Sequence, residues 1–208
     1  MLCVMMTAQD RKRQEREARR HRIQDAARPV FFDRGFARAS IEDIAKQAQL
    51  SVGAIYLYFK SKEDLYLSIL ERSLRALGDR LEAADDPRVA WEALAAWRAA
   101  EPESARALAM VSRPELRAAL TQEVADGLAA AIHRVRSGLI AAVGRAVAAR
   151  TYGACDTGAI GEALWALFVG AGAVDAAASN VGGSAPDPAE LFAVIDAGLR
   201  TRAVRAAA

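Results

Sequence analysis

The residues between Ser40 and Lys62 have the types and the spacing that a DNA-reading surface requires. Their sequence is SIEDIAKQAQLSVGAIYLYFKSK. It predicts one helix, a turn made of Gln49, Leu50 and Ser51, and a second short helix that leads into aromatic and basic residues. Two helices joined by so short a turn are typical of a helix-turn-helix unit, whose second helix enters the major groove of DNA.

The second helix of this unit has side chains suited to phosphates and to the floor of the groove. Ser51 is expected to cap it, so the free amides at its N-terminus favour a phosphate. The small side chains that follow would let the helix approach the base edges and touch thymine methyl groups. Hydroxyl and ammonium groups around it would bind flanking phosphates. The predicted DNA contacts are Ser40, Ser51, Val52, Gly53, Ala54, Tyr56, Tyr58, Lys60 and Lys62.

The same segment supplies core residues and limits how bases can be read. Ile55 and Phe59 are expected to face the interior of the unit. No Arg, Asn or Gln lies between Val52 and Phe59, and these side chains most often pair with bases through two hydrogen bonds. Sequence preference is therefore expected to depend on apolar contacts, on the basic N-terminal arm or on DNA shape.

Helical periodicity continues through the chain, and no stretch shows a sustained period of two. The predicted fold class is all-α, with an arm and a three-helix DNA-binding domain over residues 1–62 and a helical body over residues 63–208. The first helix is expected from Asp10 to Arg34, ended by Gly35. A fourth begins after Ser61, and the later ones are predicted at Pro87–Ala100, Glu103–Ser112, Pro114–Arg150, Asp156–Ser179 and Asp187–Val204.

Charge is distributed unevenly along the 208 residues. Residues 1–62 carry 13 Lys and Arg against 7 Asp and Glu, a balance of +6, whereas residues 63–208 carry 15 against 19. Basic charge at one end of a molecule is the pattern expected for a phosphate-bearing partner. A solvated helix face would have the same composition, so charge alone leaves both interpretations open.

Other features bound the class of protein. Cys3 and Cys155 lie far apart and form neither a disulfide framework nor a metal-binding spacing. The longest uncharged apolar run near the C-terminus, Ala163 to Val174, is shorter than the roughly 20 residues that span a bilayer. The sequence has no HExxH, P-loop or GxGxxG motif. We therefore expect a soluble cytoplasmic protein that is not an enzyme and has no cofactor, metal or membrane partner.

The pattern SIEDIAxxA followed by LSVGAIYxYFxSKEDL resembles the DNA-binding domain of the TetR family of bacterial transcriptional regulators. The resemblance covers residues 22–70, about a quarter of the chain. It implies a homodimeric transcription repressor that a small-molecule effector releases from a double-stranded DNA operator. Val52 and Leu57 fall at the family's variable, sequence-reading positions. The other family contact positions match Ser40, Ser51, Gly53, Ala54, Tyr56, Tyr58 and Lys62.

One residue of the turn departs from the family pattern. Gln49 stands where the family usually has Gly. The turn requires a left-handed backbone, which Gly adopts without a steric penalty, and a residue with a side chain costs roughly 1 kcal/mol there. The departure bears on the geometry of the turn and leaves the prediction of the domain unchanged.

Dimerisation is expected because a single recognition helix binds DNA weakly, and two of them bind half-sites about one helical turn apart or a multiple of it. The helix predicted at Asp156–Ser179 is apolar on two faces, and such a helix is buried on both sides. A monomer core helix would show the same pattern. By resemblance, this helix and the last one form a four-helix bundle with their symmetry mates. The predicted interface is Ile160, Leu164, Leu167, Ala171, Leu191, Ile195 and Leu199.

The body is also expected to hold a pocket for a small, often apolar or aromatic effector, which is again implied by the resemblance. Its binding would favour a spacing of the two DNA-binding domains that no longer fits the operator, with the fourth helix as the lever. Each lining residue could equally be plain core. The predicted lining is Trp91, Leu94, Trp97, Met110, His133, Trp165 and Phe168.

Three alternatives remain from the sequence. An architectural DNA-binding protein without an effector would use its basic arm and show steep salt dependence. Oxidation of Cys155, which precedes a predicted helix, could replace a ligand as the signal. A helical interaction protein could bind an acidic partner through its basic face, although the aromatic and lysine-rich exit from Tyr56 to Lys62 argues against it.

Overall fold

The computed structural model describes residues 7–111, 115, 118–181 and 187–207, with the backbone alone for 175–181 and 201–207. The described residues contain helices and no strand, which confirms the all-α prediction. In chain order the helices are α1 (Ala8–Arg38), α2 (Ile41–Ala48), α3 (Val52–Tyr56), α4 (Lys62–Glu82), α5 (Pro87–Ala100), α6 (Pro102–Met110), α7 (Gln122–Ala148), α8 (Thr157–Val181) and α9 (Pro188–Ala207).

Hydroxyl caps set the beginnings of α2, α3 and α4. The side chains of Ser40, Ser51 and Ser61 each accept the backbone N–H of the residue three positions on, at 3.0 to 3.1 Å. Each bond satisfies an amide that has no partner within its own helix, and such a cap is worth about 1 kcal/mol. The short helices of the helix-turn-helix are therefore fixed at both of their starting points, as predicted.

The turn between α2 and α3 has the left-handed geometry that its length requires. Gln49 has φ 55° and ψ 45°, and the N–H of Leu50 donates to the carbonyl of Ala45 at 2.9 Å. This is the hydrogen bond of a Schellman-type helix end. The turn therefore keeps its usual form although glycine is absent.

The long helix α1 combines a buried face with a kink near its end. Ile23, Ala27 and Phe31 are buried at helical spacing. Gly35 leaves the helical conformation with φ 71°, which glycine adopts at little cost. The expected end at Gly35 is thus a kink, after which one more short turn leads to Arg38.

The central helix α4 belongs to both parts of the fold. It packs along α7 and also contacts α1, α5 and α6. Its residues from Asp64 to Glu71 are all buried, so it has no solvated face over two turns. A movement of α4 must therefore displace its neighbours, which is the property expected of a lever.

Two helices of the body begin at residues other than those expected. α6 begins at Pro102, and the long helix predicted from Pro114 begins at Gln122. Thr121 caps it by accepting the N–H of Val124 at 3.3 Å. The sequence periodicity runs through this boundary, whereas the cap defines it.

The helix α8 has one packed face and one open face. Gly161 lies against α7 so closely that a Cβ atom there would be 2.5 Å from Cγ1 of Ile140. The window Thr157–Val174 has a mean hydropathy of 1.4, yet only 22% of it is buried. Length and composition would suit a membrane span, although Glu162 in this window forms a salt bridge with Arg136 at 2.8 Å. The open face is small and apolar: Ala159, Ala163, Ala166, Gly170, Ala173 and Val174.

Candidate nucleic-acid interface

The predicted reading helix α3 presents one exposed side and one buried side. Ile55 and Phe59 are buried, as predicted, and fix α3 on the core of the domain. On the other side, the side chains of Tyr56 and Leu57 are 52% and 71% exposed. Large apolar surfaces that remain in water commonly mark a binding site. We call the exposed set Ser51, Gly53, Tyr56, Leu57 and Lys60 the recognition surface.

Three other predicted contacts are half-buried beside this surface. Val52, Ala54 and Tyr58 pack partly against the domain. The guanidinium of Arg16 lies 5.3 Å from the ring centre of Tyr58, within the range of a cation–π contact. Arg20 donates to the carbonyl of Tyr58 at 3.3 Å. Tyr58 is therefore held between α1 and α3.

The hydroxyl of Ser40 is engaged within its own helix end. It donates to Oδ2 of Asp43 at 2.7 Å, and Nη1 of Arg34 lies 2.6 Å from the same oxygen. The hydrogen bond from Ser40 lowers the pKa of the Asp43 carboxyl, with a smaller contribution from Arg34. A phosphate contact by Ser40 would have to compete with this carboxylate for the hydroxyl proton.

Lys62 has a clear role inside the fold. Its Nζ donates to the carbonyls of Phe36 and Ala39 at 2.9 and 3.1 Å and lies 4.5 Å from the ring centre of Phe36. These bonds hold the first residue of α4 to the corner between α1 and α2. The sequence assigned Lys62 to a phosphate, and the structure gives its ammonium group these partners within the domain.

The N-terminal part of α1 adds basic residues that were not among the predicted contacts. Thr7 caps α1, and the helix is exposed from Ala8 to Ala18. It therefore projects from the domain as a preformed helical arm. The basic run RKRQEREARRHR was visible in the sequence, but only the structure shows which members share a face with Tyr58. These are Lys12, Arg13, Arg16, Arg19 and Arg22, which line one open groove with Tyr58.

Comparison with known proteins places this geometry in a family. The model for the family described as bacterial regulatory proteins, tetR family, matches residues 23–69. The chain belongs to the TetR family. It is 40% identical over 60 residues to the fatty acid metabolism regulator protein of Bacillus subtilis (strain 168), covering 29% of this chain and 31% of that protein.

The similarity beyond the DNA-binding domain lies in the fold. The chain is 37% identical over 76 residues to the transcriptional regulator TtgR of Pseudomonas putida, or 36% of each chain. It thus spans about a third of the length of these two curated relatives. The fatty acid degradation regulator FadR of Bacillus halodurans has a TM-score of 0.62 at 19% identity, over 86% of this chain and 97% of that one.

The predicted effector pocket of this TetR-family chain is a packed aromatic cluster. Trp91, Trp97 and Trp165 surround Phe168, with ring centres 5.9 to 6.3 Å from its own. Leu94 is fully buried. The space beside the cluster is about 10 Å³, about enough for one water molecule. A ligand would enter only if these rings moved apart.

Hydrogen bonds also hold the indoles of the cluster. Nε1 of Trp91 donates to the carbonyl of Pro188 at 2.6 Å, and Nε1 of Trp97 donates to Oγ of Ser73 at 2.7 Å. Met110 is half-buried against the core. His133 was expected to line an internal pocket, and this is wrong because it is exposed on α7, with Nε2 3.4 Å from Oγ of Ser137.

The predicted dimer residues divide between two faces. Leu164, Ala171 and Leu199 are buried within the chain, so the structure corrects their assignment to a free face. The periodicity showed two apolar faces on α8 and could not tell which one its own chain would cover. Only half-buried members of the set remain accessible to a partner: Ile160, Leu167, Leu191 and Ile195. Val194 of α9, which was not predicted, is 76% exposed.

Cys155 is a free thiol, half-buried just before α8. Cys3 lies outside the described residues. Among the described residues, no group of three or more His, Cys, Asp or Glu side chains is placed to hold a metal ion. The oxidation hypothesis for Cys155 therefore stays a prediction.

Proposed function

We propose that this chain is a homodimeric, sequence-specific transcriptional repressor of the bacterial cytoplasm that a small-molecule effector releases from its DNA operator. The observation that carries the DNA-binding part is the recognition surface, a capped helix whose outward side holds Gly53, Tyr56, Leu57 and Lys60 in solvent. The family match over residues 23–69 supports the same part. Repression, dimerisation and release by an effector are the finer parts of the proposal.

The side chains of the recognition surface suit a deep approach to the groove. A Cβ atom built on Gly53 would meet no other atom within 4 Å, so its absence is not needed for packing. It leaves room for close contact with DNA. Leu57 extends further than its neighbours and is available for a thymine methyl group. The basic arm formed by the start of α1 supplies charge for phosphates alongside.

Dimerisation is supported by the open face of α8. Its alanines and glycine would let a second helix approach closely, and its exposed apolar area is costly to leave in water. Val194 continues this apolar surface onto α9. A twofold arrangement of α8 and α9 would bury both and present two copies of α3 to two half-sites.

The first experiment is a selection of bound genomic fragments with the purified chain, followed by footprinting at two salt concentrations. A short near-palindrome that is strongly preferred over random DNA supports a dimeric operator reader. Weak binding to every fragment that collapses as salt rises would support the architectural alternative instead, because that binding rests on counterion release. The recovered operator then serves to measure the effect of ligands.

A further inference from the structure

A cleft separates the DNA-binding domain from the body on the side of α1 opposite the turn. It has a volume of about 260 Å³ and lies between α1, the middle of α4 and the junction of α5 and α6. The walls are mainly apolar and aromatic, with Phe31 and Phe32 from α1 and Tyr66 and Ile69 from α4. The volume is just below the range of ordinary ligand pockets, so the occupant must be compact.

Two features of the cleft are costly while it is empty. The ring of Phe32 is 59% exposed although it lines an apolar wall. Nε of Arg28 is buried and has no hydrogen-bond partner among the described residues. An unpartnered buried donor costs about 1 to 3 kcal/mol. An occupant that covers the ring and accepts a hydrogen bond from Arg28 would remove both costs.

The other polar groups at the cleft already have partners. Oε1 of Glu101 accepts from Arg28 Nη1 at 2.8 Å, and Oε2 accepts from Ser104 at 3.1 Å. Oε2 of Glu103 accepts from the hydroxyl of Tyr66 at 3.2 Å, and Oε1 pairs with Arg106. These carboxylates disfavour an anionic occupant, and their filled acceptor positions offer little to a donor.

We propose that this cleft binds a compact, uncharged aromatic molecule with one carbonyl-type acceptor, held between Phe32 and Ile69 with its oxygen on Arg28 Nε. The cleft is separate from the aromatic cluster around Phe168, and none of its lining residues was among the predicted pocket residues. Burial of the ring surface supplies most of the affinity, and the acceptor supplies orientation.

Occupation of the cleft bears on DNA binding because the cleft spans a joint. The Arg28–Glu101 pair ties α1 to the body, and the ring of Tyr66 lies 4.9 and 4.7 Å from those of Phe31 and Phe36. Phe36 is in turn covered by Lys62. An occupant braces these groups at one separation of the domain and the body, which lowers affinity for an operator that needs another. This last step rests on the proposed function.

Binding is tested on the full chain by ligand-observed NMR with three probes of similar shape. Acetophenone has the ring and the carbonyl, ethylbenzene lacks the acceptor, and phenylacetate carries a negative charge. We expect acetophenone to bind about tenfold more tightly than ethylbenzene, the effect of one hydrogen bond to a charged donor. Equal binding of these two, tighter binding of phenylacetate, or no binding of any probe would overturn the proposal.

Two variants locate the site. Phe32→Ala should weaken acetophenone binding severalfold, since it removes an exposed wall without disturbing the core. Arg28→Lys keeps the charge opposite Glu101 but lacks the Nε donor, and it should abolish the preference over ethylbenzene. Arg72→Lys is the matched control, because Arg72 also pairs with α1, through Asp25 at 2.8 Å, outside the cleft. Parental binding in the two cleft variants would refute this location.

The effect on DNA is measured separately by fluorescence anisotropy with the selected operator. Saturating acetophenone should reduce operator affinity in the parent chain and in Arg72→Lys, and should leave Arg28→Lys and Phe32→Ala much less affected. Probe binding without any change in operator affinity would overturn the coupling. A chain that binds the probe but prefers no DNA sequence would contradict the proposed function and leave the cleft assignment standing.

Discussion

Thr121 donates two hydrogen bonds to Oδ1 of Asp64, from its backbone N–H at 2.9 Å and from its hydroxyl at 2.8 Å. Asp64 is 1% exposed, and its other oxygen accepts the N–H of Lys60 at 3.1 Å. One buried carboxylate thus joins the exit of the DNA-binding domain to the beginning of α7. Hydrogen bonds to a charged group are stronger than neutral ones, so this joint should be stiff.

The first prediction concerns this joint. Thr121→Val removes the hydroxyl that both caps α7 and binds Asp64, so the free energy of unfolding should fall by about 1 to 3 kcal/mol. Thr121→Ser retains the hydroxyl and serves as the control, with little change expected. Urea denaturation followed by circular dichroism measures both. Equal stability of the valine and serine variants would show that the hydroxyl contributes nothing to the joint.

The neighbouring lysines should separate folding from DNA binding. Lys62→Ala removes two charge-assisted hydrogen bonds to the corner of α1 and α2, so we expect the melting temperature to fall by several degrees, at about 2 to 4 °C per kcal/mol for a chain of this size. Lys60→Ala should leave the melting temperature unchanged and weaken operator binding, with a smaller salt dependence. The reverse pattern would return Lys62 to the phosphate role that the sequence suggested.

Tyr56 provides the test of the recognition surface. Tyr56→Phe keeps the ring and removes only the exposed hydroxyl, so operator affinity should fall about three- to tenfold while the melting temperature stays the same. Anisotropy titration against the selected operator gives the affinity. Val89→Ala, an exposed apolar position on α5, is the control and should bind as the parent does. Unchanged affinity for Tyr56→Phe would remove its hydroxyl from the interface.

The DNA-binding domain was predictable because its determinants are local. Ser40, Ser51 and Ser61 are caps whose partners lie three residues away, and Ile55 and Phe59 fall on one side of a short helix. The partners of Lys62 lie 26 and 23 residues earlier in the chain. Spacing alone does not reveal such a contact, so a lysine after an aromatic exit looked like a phosphate ligand.

The body was harder to predict because its function depends on which apolar faces meet. Leu164 and Phe168 have the same residue character as an interface or a pocket would require, yet they fill the core of their own chain. The cleft beside Arg28 combines residues from α1, α4 and α6 that are distant in sequence. No periodicity marks such a site. The small exposed residues of α8 were also hidden, because alanine suits a helix in any environment.

The buried carboxyl of Glu71 gives a prediction for pH. Burial raises its pKa, although Arg75 and then Arg20 oppose the shift, and Glu17 adds to it. A folded-state pKa above the unfolded value means that the folded chain holds the proton more tightly. This contribution to stability is therefore present at low pH and is lost as pH rises from the usual value of 4.5 through the raised one.

The variant Glu71→Gln removes this titration. Relative to the parent, its melting temperature should rise progressively as pH increases from about 4 to 7, because only the parent must ionise a buried acid over that range. The comparison needs calorimetry at several pH values in one salt concentration. A constant difference between the two chains across the range would mean that Glu71 does not titrate there.

The last prediction concerns the open face of α8. Ala166→Glu places a charge at the middle of a face where two helices would meet closely, and the cost of burying it should shift the chain to monomers. Sedimentation velocity at micromolar concentration measures the change, and operator affinity should fall with it because two half-sites are no longer bound together. Ala130→Glu is the matched control, since Ala130 is an exposed alanine within α7. A dimer that survives Ala166→Glu but is lost in Ala130→Glu would move the interface to α7.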